Sequence, residues 1–507
     1  MSAPTQSTPS NPDQFVIALD QGTTSSRAVL FDHKADIVDV SQLEFKQYFP
    51  KPGWVEHDAN EIWDSQFSVL QRLVANNQLT PEDIAAVGIT NQRETTVVWN
   101  RRTGKPVYNA IVWQDRRTAA RCDEITELGW AERVQEKTGL VIDAYFSGTK
   151  IEWILNNVEG ARDAAETGDL LFGTIDTWVI WNLTEGRVHA TEPSNAARTM
   201  LMNINTGEWD KDLLELFNIP TSMLPEIKDS SDDFGHFSFQ GKEVPIAGVA
   251  GDQQAALFGQ TCFEKGMAKN TYGTGCFMLM NTGSQRINSE CGLLSTIAWS
   301  IDGKITYALE GSVFIGGAAI QWLRDELKFI DDASESEALA LKAHPDSRLV
   351  VVPAFAGLGA PHWDMYARGA IFGLTRDSGQ AEITKATLES LAYQIYDVLH
   401  AMQKDSGINL SQLNVDGGAI ANNFLAQFQA DILQTPVVRP KVLESTALGA
   451  AYLAGLRVGY WTMKDLTKVR EVEREFKPAM QPEIAERMIA RWHKAVERSK
   501  EWVEADV

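Results

Sequence analysis

The sequence predicts a mixed α/β protein built as two similar halves that face one another across a cleft. Three observations carry that expectation. Strand-like and helix-like segments alternate along the chain, the order typical of α/β folds. At 507 residues the chain exceeds what one hydrophobic core serves, so two units of roughly 250 residues each are expected. Each half also carries a Gly-Thr turn entered from a run of strand-forming residues. The first run is Phe15-Val16-Ile17-Ala18-Leu19 into Asp20-Gln21-Gly22-Thr23-Thr24, and the second is Lys269-Asn270-Thr271-Tyr272 into Gly273-Thr274-Gly275.

A glycine at such a turn permits a tight hairpin and close backbone approach. Backbone N–H groups and hydroxyls then converge on one point, which suits a phosphate. Two such hairpins facing each other could grip a polyphosphate from both sides. A phosphotransferase, or at least a nucleotide clamp, is the class that fits.

The elements follow in chain order. Residues 1–14, Met1 to Gln14, are rich in Ser, Thr, Pro and Asn and are expected to form a disordered tail. The first half spans 15–260. In it Ile84–Thr90 reads as a strand, and Thr95–Trp99 with the turn at Thr103-Gly104 reads as a hairpin. A Phe-Gly-Thr turn precedes the apolar run Trp178–Trp181. Val244–Val249 reads as a buried strand leading to Gly251-Asp252, and a helix begins at Gln253 and runs to Phe258. The second half spans 261–507. From Thr384 on, Leu388, Leu391, Ala392, Ile395, Val398, Leu399 and Met402 recur at helical spacing and predict one buried helix face. Leu413–Val415 enters Asp416-Gly417-Gly418, and the helix after it carries Phe424, Leu425, Phe428 and Ile432. Ile484 to Val503 reads as an amphipathic surface helix. An internal duplication rests on the two hairpin motifs and not on sustained identity.

Charge and composition exclude several classes. Lys and Arg number 46 against 68 Asp and Glu, a net charge of −22, and such a surface repels nucleic acid and anionic membrane. No stretch approaches the roughly 20 apolar residues of a membrane span. Cys122, Cys262, Cys276 and Cys291 form no CxxC pair and no metal-like spacing with His, so reduced thiols in a cytoplasmic protein are expected. The sequence contains no P-loop, no protein-kinase motif set, no G-x-G-x-x-G after a strand and no H-E-x-x-H. Phosphate chemistry must therefore use the hairpins.

Four stretches make the reading specific. Ala18-Leu-Asp-Gln-Gly-Thr-Thr-Ser-Ser-Arg27, Gly88-Ile-Thr-Asn-Gln-Arg-Glu-Thr-Thr96, Gly251-Asp-Gln-Gln-Ala-Ala-Leu-Phe-Gly259 and Asn270-Thr-Tyr-Gly-Thr-Gly-Cys-Phe277 occur in that order. Together they resemble the glycerol-phosphorylating carbohydrate kinases, whose fold is shared with actin, hexokinase and the Hsp70 chaperones. The resemblance runs from about Phe15 into the C-terminal region. It implies two ribonuclease-H-like (actin-like ATPase) domains, the first with the polyol site and the second with the nucleotide site. It also implies ATP- and Mg²⁺-dependent phosphorylation of glycerol to glycerol 3-phosphate, and a homo-oligomer, dimer or tetramer.

The same resemblance implies roles for individual residues. Asp252 resembles the base that takes a proton from the attacking hydroxyl, which a carboxylate at a strand end in a cleft can do. Its structural alternative is a helix N-cap. Arg93, Glu94, Tyr145 and Gln253 resemble the polar partners of the glycerol hydroxyls. A small triol offers little apolar area, so its selection must rest on paired donors and acceptors. Adjacent residues on a regular strand point to opposite faces, so the chain must end its strand or twist at Arg93-Glu94 for both to reach one ligand. Trp113 and Phe277 resemble walls against the carbon backbone. Thr23, Thr24, Ser25 and Thr274 resemble the phosphate donors, and Arg27 a charge near the transferred group. Asp20 resembles the residue that holds Mg²⁺ through water, with Asp252 sharing it. Gly317, Gln321, Gly418 and Asn422 resemble the adenosine side.

Other readings stay open at this stage. A sibling sugar kinase would share both hairpins and Asp252 but lack the Arg93-Glu94 and Trp113 set. A filament or chaperone ATPase would consume ATP without a polyol, and an inactive relative would only bind. Some relatives bind fructose 1,6-bisphosphate through a Gly- and Arg-containing loop, or are phosphorylated there on a His. Here the corresponding loop, Phe237–Glu243, lacks Arg, and the aligned position is Ser238, with His236 two residues away.

Overall fold

Apolar β-prone residues on both sides of the first Gly-Thr turn form an antiparallel hairpin, Phe15–Gln21 with Ser25–Phe31, closed at the pair Gln21 and Ser26. The structure, a computed structural model, describes residues 13–469 and 471–503. Most of the expected N-terminal tail lies outside the described residues. Gln14 is held, its side-chain amide donating to the Glu82 carbonyl at 2.8 Å.

Strand Ile37–Glu44 adds antiparallel to the outer side of this hairpin, while Ile84–Asn91 and then Lys242–Gly251 add parallel on the inner side. A short edge strand, His236–Phe239, completes six. The two parallel strands are covered on both faces, which is why they read as nearly unbroken apolar runs.

The second half repeats the plan. Ala268–Tyr272 and Cys276–Gly283 form the hairpin, closed at Tyr272 and Cys276, and Lys304–Val313 continues it antiparallel. Leu413–Asp416 and Val437–Pro440 then add parallel on the inner side. Strands Leu294–Ile301 and Val472–Phe476 extend the two edges to a seven-stranded sheet. The shared order, an antiparallel three-stranded meander followed by two parallel strands, is the duplication that two short motifs only suggested.

One helix stitches the halves together. Ser445–Arg457, an Ala- and Gly-rich segment of the second half, lies on the first sheet and against helix Asp252–Gly259. The approach is backbone to backbone: a Cβ on Gly88 would sit 2.2 Å from the Ala450 carbonyl oxygen, and one on Gly449 would sit 1.8 Å from that of Ala255. A single apolar cluster therefore mixes Val16, Ala250 and Leu257 with Ala447, Tyr452 and Leu453. Packing here crosses the cut expected at residue 260.

Several local expectations are refined by long-range pairing. The 100–105 turn is present, with Asn100 N bonding Lys105 O and Val107 N bonding Val98 O, both at 2.9 Å. The ladder partner of Val97–Asn100, however, is the distant strand Leu170–Gly173. The apolar run after that strand is helix Ile175–Leu183. Helix Gln380–Ser406 buries all seven residues that its spacing marked. The C-terminal helix is Pro482–Ser499 and stops short of Val503 because the backbone turns extended at Lys500. It is the amphipathic surface helix expected, its apolar face packed on the core, with Trp492 fully buried and its indole N–H 2.7 Å from Asp397 Oδ2. The Phe237–Glu243 segment is a two-residue hairpin turn at Gln240-Gly241 joining the edge strand to its neighbour. Among the described residues no helix is long and apolar enough to cross a membrane.

Candidate active site

The chemistry-bearing residues collect where the parallel strands of the first sheet end. Lys242–Gly251 passes without a loop into helix Asp252–Gly259, with Gly251 as the cap and Asp252 as the first helical residue. Asp252 is therefore not the N-cap. A carboxylate in the first turn gains from the helix dipole, and Asp252 Oδ1 accepts the Gln253 backbone N–H at 2.7 Å. Its side chain keeps 33% of its exposure and lies 3.3 Å from Arg93 Nε.

The neighbouring parallel strand ends at Asn91, and Glu94 adopts a left-handed φ of 61°. This is the twist that consecutive inward-facing side chains require. Left-handed backbone at a non-glycine residue stores of order 1 kcal/mol or more, so something must hold it. Ser147 Oγ donates to the Glu94 carbonyl at 2.8 Å, and Arg198 Nε donates to Glu94 Oε1 at 2.6 Å.

Arg93 is gripped by Glu310, which reaches in from strand Lys304–Val313 of the other half. The two Arg93 terminal nitrogens donate to Glu310 Oε2 at 2.6 Å and Oε1 at 2.9 Å, and one also reaches Gln254 Oε1 at 3.1 Å. Arg198 Nη2 closes the ring to Glu310 Oε1 at 3.2 Å. Two arginines and two glutamates thus alternate in a buried square spanning both halves. Gly251 clears the space, since a Cβ there would lie 2.7 Å from Arg93 Cγ and Cδ.

The two glutamates respond differently to burial. Burial alone raises the Glu310 carboxyl, but Arg198 and Arg93 outweigh it and hold the group down to about 2. At Glu94 burial prevails over Arg198 and Arg93, and the carboxyl stays above its ordinary range. The geometry explains the contrast: Glu310 is forked by two guanidinium groups, while Glu94 has one short bond and Arg93 Nε at 3.9 Å.

Trp113 and Tyr145 stand beside this square, their rings edge-to-face at 5.6 Å, with the Arg198 guanidinium 5.5 Å from the Tyr145 ring centre. Trp113 Nε1 donates to Thr23 Oγ1 at 3.1 Å, tying the indole to the first Gly-Thr turn. Phe277 is half-buried on strand Cys276–Gly283. Gln253 Oε1 accepts from Lys269 Nζ at 2.6 Å.

In the first turn Thr23 is half-buried, Thr24 exposed and Ser25 buried, with Ser25 Oγ accepting from Gln42 Nε2 at 3.0 Å. Arg27 faces Asp20 across the hairpin at 3.0 Å and pairs at 2.5 Å with Glu444 from the second half. Burial pushes the Asp20 carboxyl up to about 6 against the pull of Arg27, with Glu444 and Asp252 adding to the rise. Asp20 Oδ2, though near Arg27, has no aligned hydrogen bond.

The second turn is docked on a helix start. Gly317 N donates to Gly273 O at 2.8 Å and Gly316 N to Thr274 O at 2.8 Å, so Thr274, itself exposed, sits at the start of helix Gly317–Asp325. Gln321 is exposed one turn further along. Of the pair Gly417-Gly418, the first is structural: it has φ 92°, and a Cβ would meet the Tyr272 backbone at 2.6 Å. A Cβ on Gly418 would meet nothing within 4 Å. Asn422 caps helix Asn423–Leu433, its Oδ1 accepting from Leu425 N at 3.0 Å while Nδ2 reaches Ser336 Oγ at 3.2 Å.

The structure thus gathers Arg93, Glu94, Tyr145, Trp113, Asp252 and Gln253 where the parallel strands of the first sheet end, with Thr23 bonded to them through Trp113. Gly317, Thr274 and Gly418 cluster on the second half. Sequence reasoning missed Arg198, Gln254, Lys269, Glu310 and Glu444. One of these had a readable signal: Glu310 follows Tyr307-Ala-Leu309 in a strand run, and a buried charge must be paired, whereas Lys269 sits in the polar strand Ala268-Lys-Asn-Thr-Tyr272. Arg198 and Glu444 lie in segments with no such pattern. Among the described residues no group of three or more His, Cys, Asp or Glu is placed to hold a metal. Mg²⁺ commonly takes one or two carboxylates and completes its shell with water and phosphate. Asp20, whose Oδ2 has an ion pair to Arg27 but no aligned hydrogen bond, and the electrostatically coupled Asp252 are carboxylates of that kind.

Two duplicated α/β halves, each carrying a Gly-Thr hairpin, with a half-exposed carboxylate beside a square of buried charges that spans them, define a two-lobed small-molecule kinase. The family comparisons agree. Residues 15–259 match the N-terminal domain, and residues 268–458 the C-terminal domain, of the FGGY family of carbohydrate kinases. A glycerol kinase of Caldanaerobacter subterraneus subsp. tengcongensis is 63% identical over 494 residues, 97% of this chain and 99% of the relative. The crystal structure of Plasmodium falciparum glycerol kinase with ADP superposes with a TM-score of 0.90 at 38% identity, covering 96% of this chain and 98% of that one. A gluconate kinase from Lactobacillus acidophilus shares the fold, with a TM-score of 0.85 at 22% identity over 96% of this chain and 98% of its own. The chain belongs to the FGGY family of carbohydrate kinases, within its glycerol kinase group.

Proposed function

We propose that this protein transfers the γ-phosphoryl group of ATP to a terminal hydroxyl of glycerol. The observation that carries the reading is the position of Asp252: still reachable, 3.3 Å from Arg93 Nε in a polar pocket, and close enough to Asp20 on the first hairpin to raise its pKa. The relative from Caldanaerobacter and the ADP-bound structure from Plasmodium, both named glycerol kinases, support the choice of substrates.

The pocket suits a triol because it offers many donors and acceptors and little apolar wall. Arg93, Glu94, Tyr145 and Gln253 take the hydroxyls, and Trp113 and Phe277 flank the carbons. Selection rests on hydrogen bonding, which rejects an analogue lacking a hydroxyl far more strongly than apolar contact can. Asp252 accepts the proton as the terminal oxygen attacks phosphorus, the new O–P bond forming while the bond from the γ-phosphorus to the bridging oxygen breaks and ADP leaves. Thr23, Thr24 and Ser25 on one hairpin and Thr274 on the other donate to the phosphates, and Arg27 offsets their charge. Asp20 and Asp252 would hold Mg²⁺, which when bound would supply charge neutralisation at the phosphates. Gly317, Gln321, Gly418 and Asn422 border the adenosine. The open space at Gly418 and the exposure of Gln321 support that assignment. The four free cysteines accord with a cytoplasmic setting, and a dimer or tetramer, readable by sedimentation, completes the proposal.

Replacing Asp252 by Asn tests the mechanism. The variant is expected to bind glycerol and ATP but to lose about 10²-fold or more in kcat. Turnover near that of the wild type would remove Asp252 from the role of base. A coupled assay with Mg-ATP across glycerol, dihydroxyacetone, xylulose and gluconate tests the acceptor, and equal or better rates with a sugar would refute glycerol.

A further inference from the structure

Strand Ala268–Tyr272 carries a fully buried ammonium, Lys269, at 0% exposure. A charge taken out of water is tolerated only when its N–H groups are occupied. Lys269 Nζ donates to Gln253 Oε1 at 2.6 Å, to Thr271 Oγ1 at 2.8 Å and to the Phe277 carbonyl at 3.4 Å. Three donors meet three acceptors. Gln253 belongs to the helix that begins at Asp252 in the first half. Thr271 and Phe277 belong to the two arms of the second Gly-Thr hairpin, whose turn carries Thr274. One side chain therefore bonds the residue beside the proposed base to the phosphate hairpin of the opposite half.

We propose that Lys269 is a positioning residue for phosphoryl transfer, orienting the Gln253 carboxamide toward the polyol and fixing the spacing between polyol and phosphate sites. The orientation follows from donor chemistry. An ammonium has no acceptor, so only the carboxamide oxygen can face it, and the Gln253 NH₂ is left to donate elsewhere. On the proposed function, on which this inference rests, the partner it turns to is a glycerol hydroxyl. The spacing follows from the two hairpin arms, which Lys269 cross-links just below the turn.

Stability alone does not explain the charge. Burial pushes the ammonium down to about 8 from its ordinary 10.5, opposed by Asp416 and Asp252, with Arg93 adding to the fall and Glu310 resisting it. A methionine of similar length would pack in the same strand without that desolvation cost, since apolar replacement of buried charge is often neutral or stabilising. A costly ammonium at the junction of two subsites is better explained by what it aligns.

The test compares wild type, Lys269→Met, Gln253→Leu and the double variant, varying glycerol and ATP separately and following thermal unfolding. Lys269→Met is expected to raise glycerol KM by about 10-fold or more and lower kcat, with ATP KM within about 3-fold. The double variant should be no worse for glycerol than the worse single one, because both substitutions remove the same link. An unchanged glycerol KM in folded Lys269→Met, or effects that multiply in the double variant, overturns the proposal. If Lys269→Met does not fold, Thr271→Val, which removes one acceptor, reads the same link: a raised glycerol KM supports it and an unchanged one overturns it. Wild-type protein that fails to phosphorylate glycerol would instead defeat the function reading, a result distinct from any of these.

Discussion

Replacing Glu310 by Gln removes one charge from a square of four and keeps the side-chain shape. Two routes give the size of the effect. Glu310 is held at about 2 against an ordinary 4.5. At about 1.4 kcal/mol for each tenfold change in proton affinity, this corresponds to roughly 3 kcal/mol of stability at neutral pH. Independently, removing one partner of a buried ion pair costs about 3–5 kcal/mol, because the remaining charges stay buried without compensation. Here those charges are Arg93 and Arg198, both within 2% exposure at the side chain. For a unit of this size about 2–4 °C accompanies each kcal/mol, so the unfolding midpoint of the affected transition should fall by roughly 6–12 °C. The sign with pH is definite. A carboxyl whose folded pKa is depressed contributes fully above 4.5 and loses its contribution as pH falls from there toward 2. The variant should therefore differ most from wild type at neutral pH and converge with it in acid. Arg93 also loses its fork, so glycerol KM should rise about 10-fold or more while ATP KM changes little. Calorimetry across pH together with steady-state kinetics reads both. A midpoint shift under about 2 °C at pH 7 with unchanged glycerol KM would show that Glu310 neither stabilises the square nor aligns Arg93.

Other expectations follow from single contacts. Gly449→Ala places a methyl 1.8 Å from the Ala255 carbonyl, and because backbone cannot yield as a side chain can, a loss of at least about 1–3 kcal/mol is expected by denaturant unfolding. Full stability would mean that the helix seam slides freely. His493, half-exposed on the C-terminal helix, donates to Asp397, and this bond raises its pKa above 6.5. Its stabilising contribution should be complete below 6.5 and fade as pH rises through the raised value, and given its exposure it should stay under about 1 kcal/mol. His493→Ala should flatten that part of the stability–pH curve, and an unaltered curve would refute the pairing.

Much of the fold was legible in the residues. Apolar runs into Gly-Thr turns specify hairpins because a strand's alternation and a glycine's freedom act within a few residues of each other. The Leu388–Met402 stripe specifies a buried helix for the same local reason, and Asp252 stands out because a carboxylate directly follows a buried strand. Pairing across the chain is another matter. Val97–Asn100 was readable as extended, but nothing within it points to Leu170–Gly173. The C-terminal helix was readable as amphipathic from its spacing, but nothing within it points to Asp397 as the partner of Trp492 and His493.

The site divides along the same line. The sequence by itself determined the hairpins, the carboxylate at the helix start, and the pair Arg93-Glu94, which had to break its strand to act together. Only the tertiary structure decided which charges compensate which. Glu310 and Arg198 become partners of that pair because a strand of the second sheet and a loop of the first half converge there, and Lys269 meets Gln253 because two hairpin arms close over a helix from the other half. Local preferences act through bonded neighbours and leave a mark in the sequence. Coulombic and hydrogen-bond pairing at 2.6 Å between residues 217 apart depends on the assembled sheet, and leaves none.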